Sequence, residues 1–320
     1  MILITGGSGF IGRHLVDRLC SCGEPVRCLL RRKADRQLPS LAEAVFGELV
    51  SGAGVAEALD GVDTVIHLAG VTKALRVEDY YAGNARATQN LARAIAGRPI
   101  RLVHVSSLAA AGPNPNGTPL VEDAEPRPLT HYGKSKLEGE RLVRLLVPDA
   151  VIVRPPVVYG PRDTDVFRIL KPLSQGIAIQ IGGGERWFSV IYVGDLIDGL
   201  LTAARAAQAP GKTYFLASAT PVSWSDLRAS TARIVGRTAR ALRVPASVAY
   251  AAGWGAELWA QLTRRPGIIS REKVTEAQCR YWTCDTRRAA VEIGFEARTS
   301  LDAGLAQTLS WYREAGWLKY

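Results

Sequence analysis

The sequence predicts an α/β fold, a doubly wound parallel sheet with helices on both faces, and three observations carry that expectation. Short β-branched runs alternate with amphipathic helical patterns through the first half of the 320-residue chain. The apolar run at residues 1–4 leads straight into Thr-Gly-Gly-Ser-Gly-Phe-Ile-Gly at 5–12, and a helical pattern starts inside that motif. The composition, 47% hydrophobic and 22% charged, is that of an ordinary globular protein and excludes the disordered and membrane-spanning classes. No apolar run is long enough to cross a bilayer.

The first strand is expected at 2–4 and the first helix at 10–20. Between them Gly6 permits a tight turn, Gly9 lets the backbone approach a pyrophosphate, and Gly12 lets the helix pack close to the strand. Phe10 and Ile11 open the helix, whose N-terminal N–H groups and dipole favour phosphate. This is the start of a Rossmann-type dinucleotide-binding fold. Strands at 26–30, 44–46, 64–67, 101–105 and 151–153 follow, with helices at 55–59, 78–96 and 131–146. Pro155-Pro156 and Gly160-Pro161 break the rhythm. Residues 1–161 therefore read as the dinucleotide-binding domain. A returning segment, 185–218, carries a helix at 195–206 and a last strand at 213–216. Residues 162–184 and 219–320 read as a smaller, mostly helical substrate-binding region over the C-terminal ends of the strands, with helices at 223–235, 246–262 and 300–315. The 246–262 stretch contains Tyr250, Trp254 and Trp259. Its favoured reading is a core-facing or pocket-lining helix rather than one on a membrane surface.

The net charge is +10 and the pI about 9.6. Apart from Arg31-Arg32-Lys33 and Arg264-Arg265 the basic residues are scattered, with no nucleic-acid motif, so they read as solvated surface plus one phosphate cluster. Five cysteines, odd in number and without zinc-site spacing, read as reduced thiols, and no metal site is expected. Because the first strand begins at Met1, the expectation is a cytoplasmic protein without a secretory leader. The expected partner is a small-molecule substrate; homodimer formation stays open.

Tyr132 and Lys136 stand four residues apart and share a helix face. A nearby ammonium stabilises a phenolate and lowers the tyrosine pKa toward neutrality. Ser106-Ser107 ends the strand at 101–105, where a hydroxyl can donate to a reacting oxygen.

Through these residues the chain resembles the extended short-chain dehydrogenase/reductase family, within the NAD-dependent epimerase/dehydratase superfamily. The resemblance covers nearly the whole sequence. It runs through the glycine motif, His67-Leu-Ala-Gly70, Tyr80-Tyr-Ala-Gly-Asn84, Ser106-Ser107, Tyr132-x-x-x-Lys136, Arg154-Pro-Pro-Val-Val-Tyr-Gly-Pro161 and Ile191-Tyr-Val-Gly-Asp195. It implies that Ser107, Tyr132 and Lys136 are catalytic. It implies that Leu68, Ala69 and Gly70 line the adenosine side, that Asn84 lies beneath the cofactor, that Ser106 adjoins it, and that the segment from Pro155 through Val158 flanks the carboxamide.

After the second strand, Leu30 cannot accept a bond from a ribose 2′-OH, whereas Arg31 and Arg32 can pair with a 2′-phosphate. NADP(H) is thus the expected cofactor, with NAD(H) as the alternative. Val157 and Phe188 stand where sugar-nucleotide relatives carry polar residues, and Trp187, Trp254, Trp259 and Trp282 are further aromatic candidates for a pocket. The pattern is closest to dihydroflavonol-reductase and 3β-hydroxysteroid-dehydrogenase-like members. The leading reading is an NADP(H)-dependent oxidoreductase acting on a carbonyl or secondary alcohol of an apolar substrate. The alternatives are a sugar-nucleotide epimerase or dehydratase with tightly held cofactor, and a non-catalytic NAD(P)-binding module.

Overall fold

Successive side chains of a β-strand point to opposite faces, so a strand buried on both sides must be apolar throughout. The central strands of this chain meet that condition except at Thr5, His67 and His104, which are buried polar residues toward their C-terminal ends. The computed structural model describes residues 1–31, 38–263 and 270–319. Its first part runs β1 (Ile2–Thr5), α1 (Phe10–Ser21), β2 (Val26–Leu30), β3 (Ala42–Phe46), α2 (Val55–Ala58) and β4 (Thr64–His67). It continues α3 (Val77–Tyr81), α4 (Ala87–Ile95), β5 (Arg101–Val105), α5 (Leu108–Ala111), α6 (His131–Leu146) and β6 (Val151–Val153). On one face Ile4, Cys28, Ile66 and Val103 pack beneath Leu15 and Leu19 of α1. On the other, Leu3, Leu29, Val65 and Leu102 pack against Val55, Leu91, Ile95 and Val143 from α2, α4 and α6.

The chain then leaves the sheet through β7 (Val157–Tyr159), α7 (Phe167–Ser174), β8 (Ile177–Ile181), β9 (Trp187–Phe188), β10 (Val190–Tyr192) and α8 (Val193–Arg205). It returns as β11 (Thr213–Tyr214). The main sheet has seven strands in the order β11-β6-β5-β4-β1-β2-β3, and every pairing is parallel. The order reverses between β1 and β4, so a crevice opens at their C-terminal ends, where open α/β sheets bind ligands.

The helix expected at 78–96 is α3 and α4 joined by a π-helical turn at Ala82–Arg86 that buries Asn84 and Ala85. The expected strand at 213–216 pairs only over Thr213–Tyr214.

The remaining elements are β12 (Val222–Ser223), α9 (Trp224–Val235), β13 (Arg240–Val244), α10 (Ala246–Thr263), α11 (Arg271–Gln278), β14 (Tyr281–Trp282), α12 (Arg287–Ile293) and α13 (Leu301–Glu314). Tyr159, Leu170, Leu173, Leu227, Leu305 and Tyr312 form a separate core here. This part is helical as expected but also holds a β13–β8 pair and a β12-β9-β14 sheet. Strands of two residues are too short to show a period.

The expectation that the 246–262 stretch faces a core or pocket holds only in part: Glu257, Ala260 and Gln261 line a cavity beside α11, but the tryptophans do not. Helix α10 buries Ala249, Gly253 and Ala260, while Trp254 and Trp259 are 61% and 69% exposed. Small residues let it lie close on α11, where a Cβ at Gly253 would stand 3.1 Å from the Arg271 nitrogen. The large residues are left outside. No described helix is long and apolar enough to cross a membrane.

Candidate active site

The glycine loop is shaped by close backbone approach. Gly6 has φ +75°, and a Cβ there would stand 2.7 Å from the Ala69 nitrogen. A Cβ on Gly12 would lie 2.1 Å from the Gly6 carbonyl oxygen. Gly9 is the exposed N-cap of α1 and provides no side-chain cap, and no acidic residue occupies the first turn after it. Phe10 and Ile11 begin the helix there. The helix thus presents bare N–H groups and positive dipole to the crevice.

A chain of hydrogen bonds holds the facing loop of Leu68, Ala69 and Gly70. The Ala69 N–H donates to Thr5 Oγ1 (3.2 Å), which lies 2.6 Å from His67 Nδ1. His67 Nε2 is 2.9 Å from Thr88 Oγ1, and the Thr88 hydroxyl donates to the Asn84 carbonyl (2.6 Å). Burial, reinforced by Lys136, drives the His67 pKa down to about 3, so the ring is neutral. A neutral ring has one donor and one acceptor, which orders every proton in the chain: Thr5 donates to Nδ1 and Nε2 donates to Thr88. The Asn84 side chain accepts from the Val71 N–H (2.7 Å) and donates to the Val71 carbonyl and Ser135 Oγ (2.9 Å each). Gly83 and Gly139 make room for this turn: a Cβ would meet Val71 Cγ2 at 2.3 Å and the Asn84 carbonyl at 2.8 Å, respectively.

Arg31 is exposed just beyond β2, and its guanidinium has no ion pair among the described residues. Arg32 lies outside the described residues. Ser106 is buried with its hydroxyl unpartnered. The Pro155 carbonyl accepts from the Leu108 N–H (2.8 Å), tying the ends of β5 and β6. Val158 packs its side chain on the sheet's hydrophobic core.

Ser107 caps α5, its hydroxyl oxygen accepting from the Ala109 N–H at 3.1 Å. That leaves the O–H to donate, and Tyr132 is within its reach. Tyr132 is half-buried in the first turn of α6. Lys136, one turn on, is 4% exposed, and its ammonium donates to the Val105 carbonyl at 2.7 Å. Burial pushes the Lys136 pKa down to about 8, opposed by Glu140. Burial raises the Tyr132 pKa, while hydrogen bonding to Ser107 and the charge of Lys273 pull it back. The sequence reading gave the cation beside Tyr132 to Lys136. In the structure it is Lys273 of α11 that stands over the ring, 6.0 Å from its centroid and 2.6 Å from Glu276 Oε2. No motif surrounds Lys273, and only the docking of α11 on the N-terminus of α6 reveals it. Glu272 accepts from the His131 N–H at 3.0 Å and Glu276 from the Thr130 hydroxyl at 3.1 Å.

Ser107 and Tyr132 open into a cavity of about 510 Å³ with mostly apolar walls. Val157, Trp187 and Phe188 line it, as do Trp224, Trp282, Leu301 and Leu305. Trp254 and Trp259 do not; they are on the outer surface of α10. Sequence reasoning missed Trp224 and the leucines because residues on separate elements carry no local signal of convergence. Among the described residues no group of three or more His, Cys, Asp or Glu side chains could hold a metal ion.

A dinucleotide fits the crevice: no side chain fills the glycine cradle, the Ser106 hydroxyl awaits a partner, and the Lys136 ammonium uses one acceptor of the three it can serve. The model of the NAD dependent epimerase/dehydratase family matches residues 2–217, which hold the sheet and most of this site. The chain belongs to that family. Its members are NAD-dependent enzymes, reductases and epimerases among them, of the extended short-chain dehydrogenase/reductase type. This family member is 29% identical to a ceramide reductase of Caulobacter vibrioides, over 99% of this chain and 96% of the relative. It is likewise 29% identical to a 4-hydroxy-2-methyl-3-oxo-4-farnesyl-3,4-dihydroquinoline-1-oxide ketoreductase of Stigmatella aurantiaca, over 94% of this chain and 93% of the relative. Among solved structures it matches MoeE5 in complex with UDP-glucuronic acid and NAD, with a TM-score of 0.78 and 26% identity, covering 98% and 99% of the two chains.

Proposed function

We propose that this protein is an NADP(H)-dependent oxidoreductase that interconverts a carbonyl and a secondary alcohol on an apolar substrate. The observation that carries the reading is the apolar cavity into which Ser107 and Tyr132 open, walled by Val157, Trp187 and Phe188. Two relatives named as reductases of a ceramide and of a farnesylated quinoline support an apolar substrate.

In this reading residues 1–161 with 185–218 bind the dinucleotide, and residues 162–184 with 219–320 shape the substrate pocket. Gly6, Gly9, Phe10, Ile11 and Gly12 hold the pyrophosphate at the α1 N-terminus. Leu68, Ala69 and Gly70 line the adenosine side, Asn84 supports the floor, and Ser106, Pro155 and Val158 bound the nicotinamide end. Arg31, with Arg32 beyond it in sequence, pairs with the 2′-phosphate. When bound, the nicotinamide supplies or accepts the hydride. The Ser107 O–H, which reaches Tyr132 in the free protein, donates to the substrate oxygen when it binds. Tyr132, held as a neutral phenol by burial, delivers the proton that turns an incipient alkoxide into an alcohol. Lys136 binds the nicotinamide ribose and supports that transfer.

The likeness to MoeE5 favours a second reading, sugar-nucleotide epimerisation with retained cofactor. An assay pairing bulky apolar ketones with uridine-diphosphate sugars separates the two. Net oxidation of NADPH, one per ketone reduced, is expected. Inversion of a nucleotide sugar without net oxidation would replace this proposal with the second.

A further inference from the structure

Helix α10 is amphipathic in reverse. Its inward stripe is Ala249, Gly253 and Ala260, and its outward stripe carries Val248, Trp254, Leu258, Trp259 and Leu262. Glu257, the one charged residue between 246 and 263, is turned toward α11, where Arg271 Nε meets it at 2.8 Å. A helix with a broad apolar outward face calls for a partner or lipid on that side. This one is not in a core: Leu262 alone is 73% exposed. A continuous exposed apolar surface marks an interaction site, and tryptophan is the side chain best suited to the boundary between water and hydrocarbon.

The surface extends beyond the helix. Strand β13 runs through Pro245 into α10, and its parallel partner β8 turns Ala178 inward and Ile177 and Ile179 outward. Leu242, opposite Ile179, is 55% exposed. Ile179 also lines the cavity, so the exposed apolar face is continuous with the cavity wall. Arg240 stands opposite Ile177 on this face and Arg237 is exposed just before the strand, both without ion pairs among the described residues. An apolar face flanked by unpaired cations is complementary to an anionic lipid surface.

We propose that α10 and the outward face of the β8–β13 pair seat this protein peripherally on an anionic lipid bilayer, the helix lying in the interfacial plane. The proposal does not depend on which reaction the crevice performs, and its test reads binding alone. The full-length protein is floated with vesicles of equal parts phosphatidylglycerol and phosphatidylcholine, and with phosphatidylcholine alone. The wild type floats with the anionic vesicles and more weakly with the neutral ones. The pair Trp254→Ser and Trp259→Ser weakens flotation about tenfold or more, while thermal unfolding and NADPH binding stay at wild-type values. The pair Arg237→Glu and Arg240→Glu removes the preference for anionic vesicles. A wild type that stays in solution with anionic vesicles overturns the proposal, as does a Trp254/Trp259 variant that floats like the wild type. So does a wild-type dimer, seen by light scattering, that the tryptophan substitutions break into monomers: the face would then be occupied by a second copy of this chain.

Discussion

Tyr132 keeps its proton in the free protein because burial disfavours the phenolate more than Ser107 and Lys273 favour it. It is therefore poised as an acid. Tyr132→Phe removes the transferable proton and leaves the ring, so turnover should fall by about 10²-fold or more while calorimetric cofactor affinity is retained. Lys136 makes a pH prediction. Its folded pKa, about 8, lies below that of a free lysine, so its charge is present at lower pH and is lost as pH rises through that value. Cofactor affinity should fall across the same window, and titrations of Lys136→Met should show no such inflection. Stability runs the other way, as linkage requires: Lys136's contribution is full above the free-lysine pKa and is lost as pH falls through about 8. Arg31→Ala should weaken NADPH binding about tenfold or more, the worth of a charge-assisted bond, and leave NADH binding nearly unchanged. Equal loss for both cofactors would remove the 2′-phosphate from Arg31.

At the scale of elements, the π turn at Ala82–Arg86 works as a fastener between the loop after β4 and helix α6. Gly139→Ala would press a methyl group against the Asn84 carbonyl at 2.8 Å, where backbone cannot yield cheaply. A loss of about 1–3 kcal/mol is expected from overpacking, read from the denaturant midpoint. What was legible beforehand follows from length and periodicity. Strands β1, β2, β4 and β5 announced themselves as short, largely apolar runs, and helices α1 and α6 through one stripe that repeats within each. Tyr132 and Lys136 were legible because their spacing is local, and Ser107 because it follows the end of a strand and matches the family pattern; the fold does bring the three to one crevice. Lys273 was not, because its place over Tyr132 is set by how α11 docks, a contact between segments far apart in sequence. The tryptophans of helix α10 were misplaced for a physical reason: large apolar residues imply burial, but the small residues took the interface.

At the scale of the whole molecule, Arg154 and Glu140 form a buried two-pronged ion pair, at 2.9 and 2.6 Å, between the end of β6 and α6. Both side chains are almost fully enclosed. Glu140→Gln strands the guanidinium without its counter-charge, and a loss of about 3–5 kcal/mol is expected, read by thermal or denaturant unfolding. Glu140 also supports the charge of Lys136, so the same substitution should move the Lys136 inflection to lower pH.

The return of β11 to the sheet carries a consequence for synthesis. The N–H groups of Ile152 and Arg154 donate to the carbonyls of Lys212 and Tyr214. Strands β1 to β6 are all made by residue 153, yet the outer edge of β6 has no neighbour until the chain reaches residue 213. An unpaired parallel edge is a template for pairing with other chains. At about 5–20 residues per second, a nascent chain holds that edge open for seconds on the ribosome. Chains arrested near residue 205 should therefore aggregate or recruit chaperones, and chains long enough to place Tyr214 beside Val153 should not.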